Sequence, residues 1–293
     1  MPSLKEVKTR ISSVVSTQQI TKAMKMVAAA KLRKSQDRIL QMRPFAQKLS
    51  VILQNLSAAQ TNEPVDNWYS KVKPENNVLI VAISSDRGLC GSFNTNVYKG
   101  VLRVIEEKYA TQHQRGGITI LPIGKKANEY FSKRKYQVVS DYAGLFSQLA
   151  FDNVAAIANY LMESYRAGKY DKIEIVYNEF KNVATQVLRT EQFLPVVQKP
   201  VTSAQSTDYI YQPNNAEVLE GLFPKSLKVQ LFKAVLDSNA AENGARMTAM
   251  DKATENAGEI LKELRLSYNR TRQAAITKEI LEIVGGAEAL KAS

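Results

Sequence analysis

Apolar residues at the C-terminal end of the chain recur at helical spacing with no proline to interrupt them from Lys225 to Ser293. Met250, Thr254, Ala257, Leu261, Leu264 and Tyr268 step by four, three, four, three and four, which is a heptad seam. A pattern that runs far past an ordinary globular helix predicts a coiled coil, a membrane span or a repeat array. Lys252, Glu255, Glu259, Lys262, Glu263 and Arg265 interrupt it too often for a membrane span. Fully helical, the stretch would reach roughly 100 Å at 1.5 Å per residue. A second seam starts near the N-terminus, where Ser3 and Glu6 have the spacing of a capping box. One heptad phase runs through Leu4, Val7, Ile11, Val14, Gln18, Thr21, Lys25, Ala28, Leu32, Ser35, Ile39, Met42, Ala46, Leu49, Leu53 and Leu56. Gln18, Thr21 and Lys25 make it polar at one place, which predicts a different partner or a special contact there. Pro44 predicts a kink or a local break near Gln41–Arg43.

The two seams can satisfy each other as a long antiparallel coiled coil with the rest of the chain inserted between them. Ile276, Ile280, Ile283 and Val284 fall out of phase with the seam, which predicts an apolar tip that packs elsewhere. Gly285 and Gly286 are read as the end of the helix.

Between the helices the period changes. Val78–Ile83 is a short, continuous apolar run, as in a strand buried on both faces, and similar runs follow at Ile118–Ile123 and Ile173–Tyr177. Helical patterns at Thr95–Tyr109, Lys125–Lys133 and Asn153–Arg166 alternate with them, which argues for a parallel, Rossmann-like α/β sheet. Gln186–Val197 reads as a further, edge strand. The predicted division is therefore an N-terminal coiled-coil helix (1–58), a linker (59–77) containing Pro64 and Pro74, an α/β domain (78–200), a polar connection (201–216) and a C-terminal coiled-coil helix (217–293).

Charge adds a direction to this picture. Of the net +12, residues 1–50 hold +9, eleven bases against two acids. That segment should face nucleic acid, anionic lipid or a carboxylate-rich protein surface. Residues 1–44 contain no Phe, Tyr or Trp, which disfavours a nucleic-acid binder. With one cysteine, Cys90, and one histidine, His113, no disulfide, metal cluster or catalytic triad can be assembled. Cys90 reads as a small buried hydrophobe and His113 as a loop residue in the polar run Thr111–Gly117. The N-terminus lacks the apolar core of a signal peptide and the acid-free prelude of a transit sequence.

The sharpest local motif, Ser84–Ser85–Asp86–Arg87–Gly88–Leu89–Cys90–Gly91–Ser92–Phe93–Asn94, lies between a strand and a helix, where α/β proteins bind phosphate. It has only G-x-x-G, neither the dinucleotide fingerprint nor a P-loop, so a tight structural turn is favoured over nucleotide binding. No catalytic residue, cofactor site or metal site is expected. A rod that engages a protein partner, a nucleic-acid binder and an α/β enzyme compete, and composition favours the rod.

The segment Ile20–Thr21–Lys22–Ala23–Met24–Lys25–Met26–Val27–Ala28–Ala29–Ala30–Lys31–Leu32–Arg33 resembles the N-terminal signature of the gamma subunit of F-type ATP synthase. The glycine loop is similar to that family's central motif, with Ser92 where glycine is common, and Asp208–Tyr209–Ile210–Tyr211–Gln212–Pro213 to its D-Y-x-Y-x-P segment. Ala245–Arg246–Met247–Thr248–Ala249–Met250, Ser267–Tyr268–Asn269–Arg270, Arg272–Gln273–Ala274–Ala275–Ile276–Thr277 and Gly285–Gly286–Ala287 resemble its C-terminal signature. The resemblance implies a rotating shaft without an active site, inside a ring of three alpha and three beta subunits, with epsilon and the c-ring beside its α/β domain. It implies contacts to alpha or beta through Met24, Lys25, Arg265, Arg270, Arg272, Gln273, Ile276, Ile280 and Ile283. It places Tyr209, Tyr211 and Pro213 near epsilon and the c-ring. Neither nucleic acid nor a cofactor is implied, and the location is peripheral, at the cytoplasmic face of a bacterial inner membrane. Three departures stand out: Asn243–Gly244, where a more helix-favouring pair is expected and local softening follows; the tail Glu288 to Ser293; and a lone Cys90, which leaves no pair for thiol switching.

Overall fold

The computed structural model describes residues 3–58, 68–196 and 215–291. The first helix, α1 (Leu4–Ala58), begins where expected: the Ser3 hydroxyl accepts a hydrogen bond from the Glu6 amide at 3.3 Å. It runs through Pro44 without a break. Pro44 is exposed, so the hydrogen bond that its missing N–H forfeits is lost on the solvent side. The last helix, α6 (Asn215–Lys291), passes through Pro224 at one end and Gly285 and Gly286 at the other. The expectation that the glycine pair ends the helix is therefore corrected. Each glycine costs about 1 kcal/mol in a helix, but Ala287, Glu288, Ala289, Leu290 and Lys291 favour helix and carry it on.

The chain packs as two units, Met1–Ala28 with Met247–Ser293, and Ala29–Arg246. In the first unit α1 and α6 pair antiparallel. As α1 advances from Gln18 to Lys25, its partner in α6 recedes from Thr254 to Asp251. The predicted seam is the interface: Val7, Thr21 and Ala28 are buried from α1, and Met250, Ala257 and Leu261 from α6. The same antiparallel pairing recurs in the second unit, where the Ser35 hydroxyl donates to the Asn239 side-chain oxygen at 2.6 Å and Leu32, Ser35, Ile39 and Leu49 are buried.

The second unit also holds a five-stranded sheet of order β3-β2-β1-β4-β5. Its strands are β1 (Val78–Ile83), β2 (Ile118–Ile123), β3 (Gln137–Val138), β4 (Lys172–Phe180) and β5 (Gln186–Leu194). The first four are parallel, joined by α2 (Phe93–Lys108), α4 (Lys125–Lys133) and α5 (Phe151–Arg166). Strand β5 is antiparallel to β4, so the sheet is mixed. The short connection between Phe180 and Gln186 permits only a hairpin, because a parallel return needs a crossover of a dozen or more residues.

Alternation along β1 assigns the two layers. Leu79, Val81 and Ile83 pack with Ile157, Leu161 and Tyr165 of α5 and with Leu227, Leu231 and Val235 of α6. Val78, Ile80 and Ala82 pack with Val97, Val101 and Val104 of α2 and Phe131 of α4. A stretch of the C-terminal helix is thus one layer of the α/β sandwich. A short helix, α3 (Ala110–Gln114), carries His113, whose ring stacks on Tyr136 with centroids 5.5 Å apart; the loop expected there is helical.

Candidate functional site: helix surfaces and the glycine loop

In the unit formed by the chain ends, the polar break in the α1 seam is answered from α6. The hydroxyls of Thr21 and Thr254 lie 2.8 Å apart, and Gln18 Nε2 donates to the Thr254 carbonyl at 3.4 Å. Lys25 Nζ pairs with Asp251 Oδ1 at 2.5 Å, the side chains 38% and 44% exposed. The special contact expected at this place is therefore made within the chain. Gly258 gives room for it, since a Cβ there would stand 3.2 Å from Gln18 Nε2.

Other sequence-predicted residues are left facing outward. Met24 is half-buried, whereas Arg265, Arg270, Arg272 and Gln273 are exposed. None of these three arginines has an acidic partner among the described residues. Beyond Tyr268 the seam fades through half-buried Thr271 and Ala275. Ile276, Ile280 and Ile283 then remain 43%, 55% and 71% exposed, with Leu281 and Val284 beside them. The apolar tip has no cover among the described residues. Tyr209, Tyr211 and Pro213 lie outside the described residues.

The glycine loop follows β1 in the other unit, and its polar groups are already engaged. The Ser84 hydroxyl accepts from the Ala127 amide at 2.9 Å and Asp86 Oδ1 from the Lys125 amide at 3.1 Å, so the first turn of α4 is capped by the protein itself. Asn94 Oδ1 accepts from the Ser85 amide, and Asn94 Nδ2 donates to the Ser85 hydroxyl at 2.8 Å. Gly91 takes a φ of +58°, which favours glycine, whereas Ser92 sits at −81°, which any residue adopts. The serine is therefore tolerated without strain.

What the loop binds is α6. Cys90 and Phe93, 2% and 1% exposed, pack on Ala241, and burial raises the thiol above its usual range. Arg246 donates from Nη2 to the carbonyls of Arg87 and Gly88, at 3.1 and 3.3 Å, while Nη1 pairs with Glu242 at 2.8 Å. Burial raises the Glu242 carboxyl, opposed by Arg246. The tight structural turn is what the geometry favours. Sequence reasoning named Arg246 only as part of the C-terminal signature, without this role, and did not name Glu242; their signal is an i,i+4 charge pair on a face otherwise made of Leu231, Ala234, Ala241 and Ala245. Among the described residues no group of His, Cys, Asp and Glu is arranged to hold a metal, and no helix is long and apolar enough to cross a membrane.

Comparison with known proteins agrees with this geometry. The ATP synthase family model matches residues 3–290. The ATP synthase gamma chain of Cytophaga hutchinsonii is 56% identical over 294 residues, covering 99% of each chain. That of Chlorobaculum tepidum is 49% identical over 292 residues, covering 99% of this chain and all of the relative. Among solved structures, a chain of the central stalk and c-ring of Tetrahymena thermophila mitochondrial ATP synthase superposes with a TM-score of 0.57 at 27% identity, over 80% of this chain and 99% of that one. A chain of the Euglena gracilis mitochondrial ATP synthase, at 20% identity, shares the fold with a TM-score of 0.67 over 99% of this chain and 95% of that one. A full-length family match and close relatives of the same length leave one conclusion: the chain belongs to the ATP synthase gamma chain family.

Proposed function

We propose that this chain is the central rotor shaft of a rotary ATP synthase, coupling turning of an ion-driven c-ring to ATP synthesis or hydrolysis at beta-subunit sites. The observation that carries the reading is the far end of α6, where Ile276, Ile280 and Ile283 continue a helix beyond its seam and remain uncovered. Apolar surface of that kind needs a partner, and a bearing formed by the ring of three alpha and three beta subunits supplies one. The exposed Arg265, Arg270, Arg272 and Gln273, with Met24 and Lys25, would meet beta-subunit loops. Exposed ion pairs contribute about 0–1 kcal/mol each, so torque would pass through many steric contacts. The basic excess on residues 1–50 suits an acidic beta surface. Tyr209, Tyr211 and Pro213 would lie near epsilon and the c-ring. The chain would carry no catalytic site of its own and would sit at the cytoplasmic face of the bacterial inner membrane, held there by the complex.

Reconstitution with alpha and beta subunits tests this. The chain alone should hydrolyse no ATP, and joint replacement of Arg270, Arg272 and Gln273 by Ala should lower coupled activity while leaving the melting temperature unchanged. Parallel losses in both would refute the assignment of those residues.

A further inference from the structure

Within the unit Ala29–Arg246 a cavity of about 390 Å³ lies between α1, α6 and the end of β4, inside the range of small-molecule sites. Asp237 of α6 lines it. This carboxylate is 5% exposed and accepts no hydrogen bond from any described residue. Lys233 of α6 and Arg43 of α1 favour its ionised form, Glu179 of β4 and Glu191 of β5 oppose it, and burial outweighs them all, pushing it up to about 6. Its oxygens open onto the cavity and not into the packed core, so a donor for them has to come from whatever fills that space.

The rest of the cavity limits what could supply the donor. Phe180, seated against the side-chain-free Gly244 with 3.3 Å to the position of a Cβ there, lines one wall, and exposed Leu40 another. Arg33, Arg43 and Lys181, all exposed, line it too, with Asp37 as the single rim acid. Three cations repel a simple amine or a metal ion but suit a dianion, and guanidinium forks suit phosphate in particular.

We propose that this cavity binds a phosphorylated aromatic amine of mononucleotide size. The ring amine donates to Asp237, the ring lies along Phe180 and Leu40, and the phosphate is held by Arg33, Arg43 and Lys181. None of Met24, Lys25, Arg265, Arg270, Arg272 and Gln273 lines the cavity, so the inference does not rest on those residues.

Calorimetric titration of the purified full chain tests it with three probes: adenosine monophosphate, inosine monophosphate and adenosine. Adenosine monophosphate should bind in the submillimolar range. Inosine monophosphate, which turns a carbonyl toward Asp237 in place of the amine, should bind about tenfold more weakly, and so should adenosine. Asp237→Ala should remove the discrimination between the two monophosphates. Because that change deletes an uncompensated buried charge, its melting temperature at neutral pH should not fall. Arg43→Ala, at an exposed position, should weaken the monophosphate about tenfold and leave adenosine nearly unchanged. Equal affinity for the two monophosphates, undiminished binding by Asp237→Ala, or no binding at millimolar concentration would each overturn the proposal.

Discussion

Strand β1 and the far end of α6 are both built from aliphatic residues, yet they end in opposite environments. Every residue of β1 is fully buried between two helical layers. Ile276, Ile280 and Ile283 are roughly as apolar and remain largely exposed. The difference lies in what the chain itself supplies. Around β1 two parallel ladders and helices on both faces close the core. Past Tyr268 the seam fades, and no described residue covers the tip. Equal hydrophobicity therefore builds a core in one place and leaves a face uncovered by the described residues in the other.

The sharpest way to break that contrast is to truncate one residue of each kind. Ile80→Ala should lower stability by about 4 kcal/mol in urea denaturation, because the rigid core cannot close the void. Ile283→Ala should change it by no more than about 0.5 kcal/mol. In the assembled complex the order of importance for coupled turnover should reverse.

A smaller effect is expected at the loop that grips α6. Arg246→Ala leaves two carbonyls and buried Glu242 without their partner and should cost about 3 kcal/mol. Adding Glu242→Gln to it should restore part of that loss, which a urea series on the single and double variants would reveal.

Asp237 sharpens the comparison from within the second unit, because there a carboxyl is largely buried without a hydrogen-bond donor among the described residues. Its native pKa, about 6, lies above the 3.8 of the unperturbed group. The native state therefore holds its proton over a range where the unfolded chain has released it. This group's contribution to stability is complete below about pH 4 and is lost as the pH rises through about 6. The difference corresponds to about 3 kcal/mol. Asp237→Asn should accordingly be more stable than the parent at pH 7 by up to that amount, and the advantage should vanish near pH 4 in denaturation midpoints.

The smallest expected effect is at the polar part of the seam. Thr21→Val should cost about 1 kcal/mol by leaving the Thr254 hydroxyl without its cross-helix partner. Thr21→Val with Thr254→Val should be close to neutral, since both partners become apolar together. A double-mutant cycle measures the coupling directly.

Much of this architecture was legible in residue periodicity. The seam from Leu4 to Leu49 appears in the structure as the buried face of α1, and Lys125–Lys133 is a helix with those bounds. These features are local, repeated many times and reinforced by burial. What escaped notice depends on long-range encounters. The two-residue β3 is too short to show a period, and its place at the sheet edge comes from pairing with Thr119 and Ile120. Arg246 sits in a helical run where a charged residue ordinarily faces water, and only the tertiary fold brings it to the carbonyls of Arg87 and Gly88. The end of α6 was misread because glycine weakens a helix without forbidding it. The outward-facing arginines were assigned to partner contacts only through family resemblance, since their own spacing is that of any solvated helix face.

The grip of Arg246 on the glycine loop also has a mechanical consequence. The loop is continuous with β1, the central strand of the five, which has parallel neighbours on both sides. A pull on α6 along that bond enters the sheet at its middle. It is then spread as shear over two hydrogen-bond ladders at once, where an edge strand could be peeled away one bond at a time. The sheet thereby serves as a stiff anchor plate riveted to the helix at its centre.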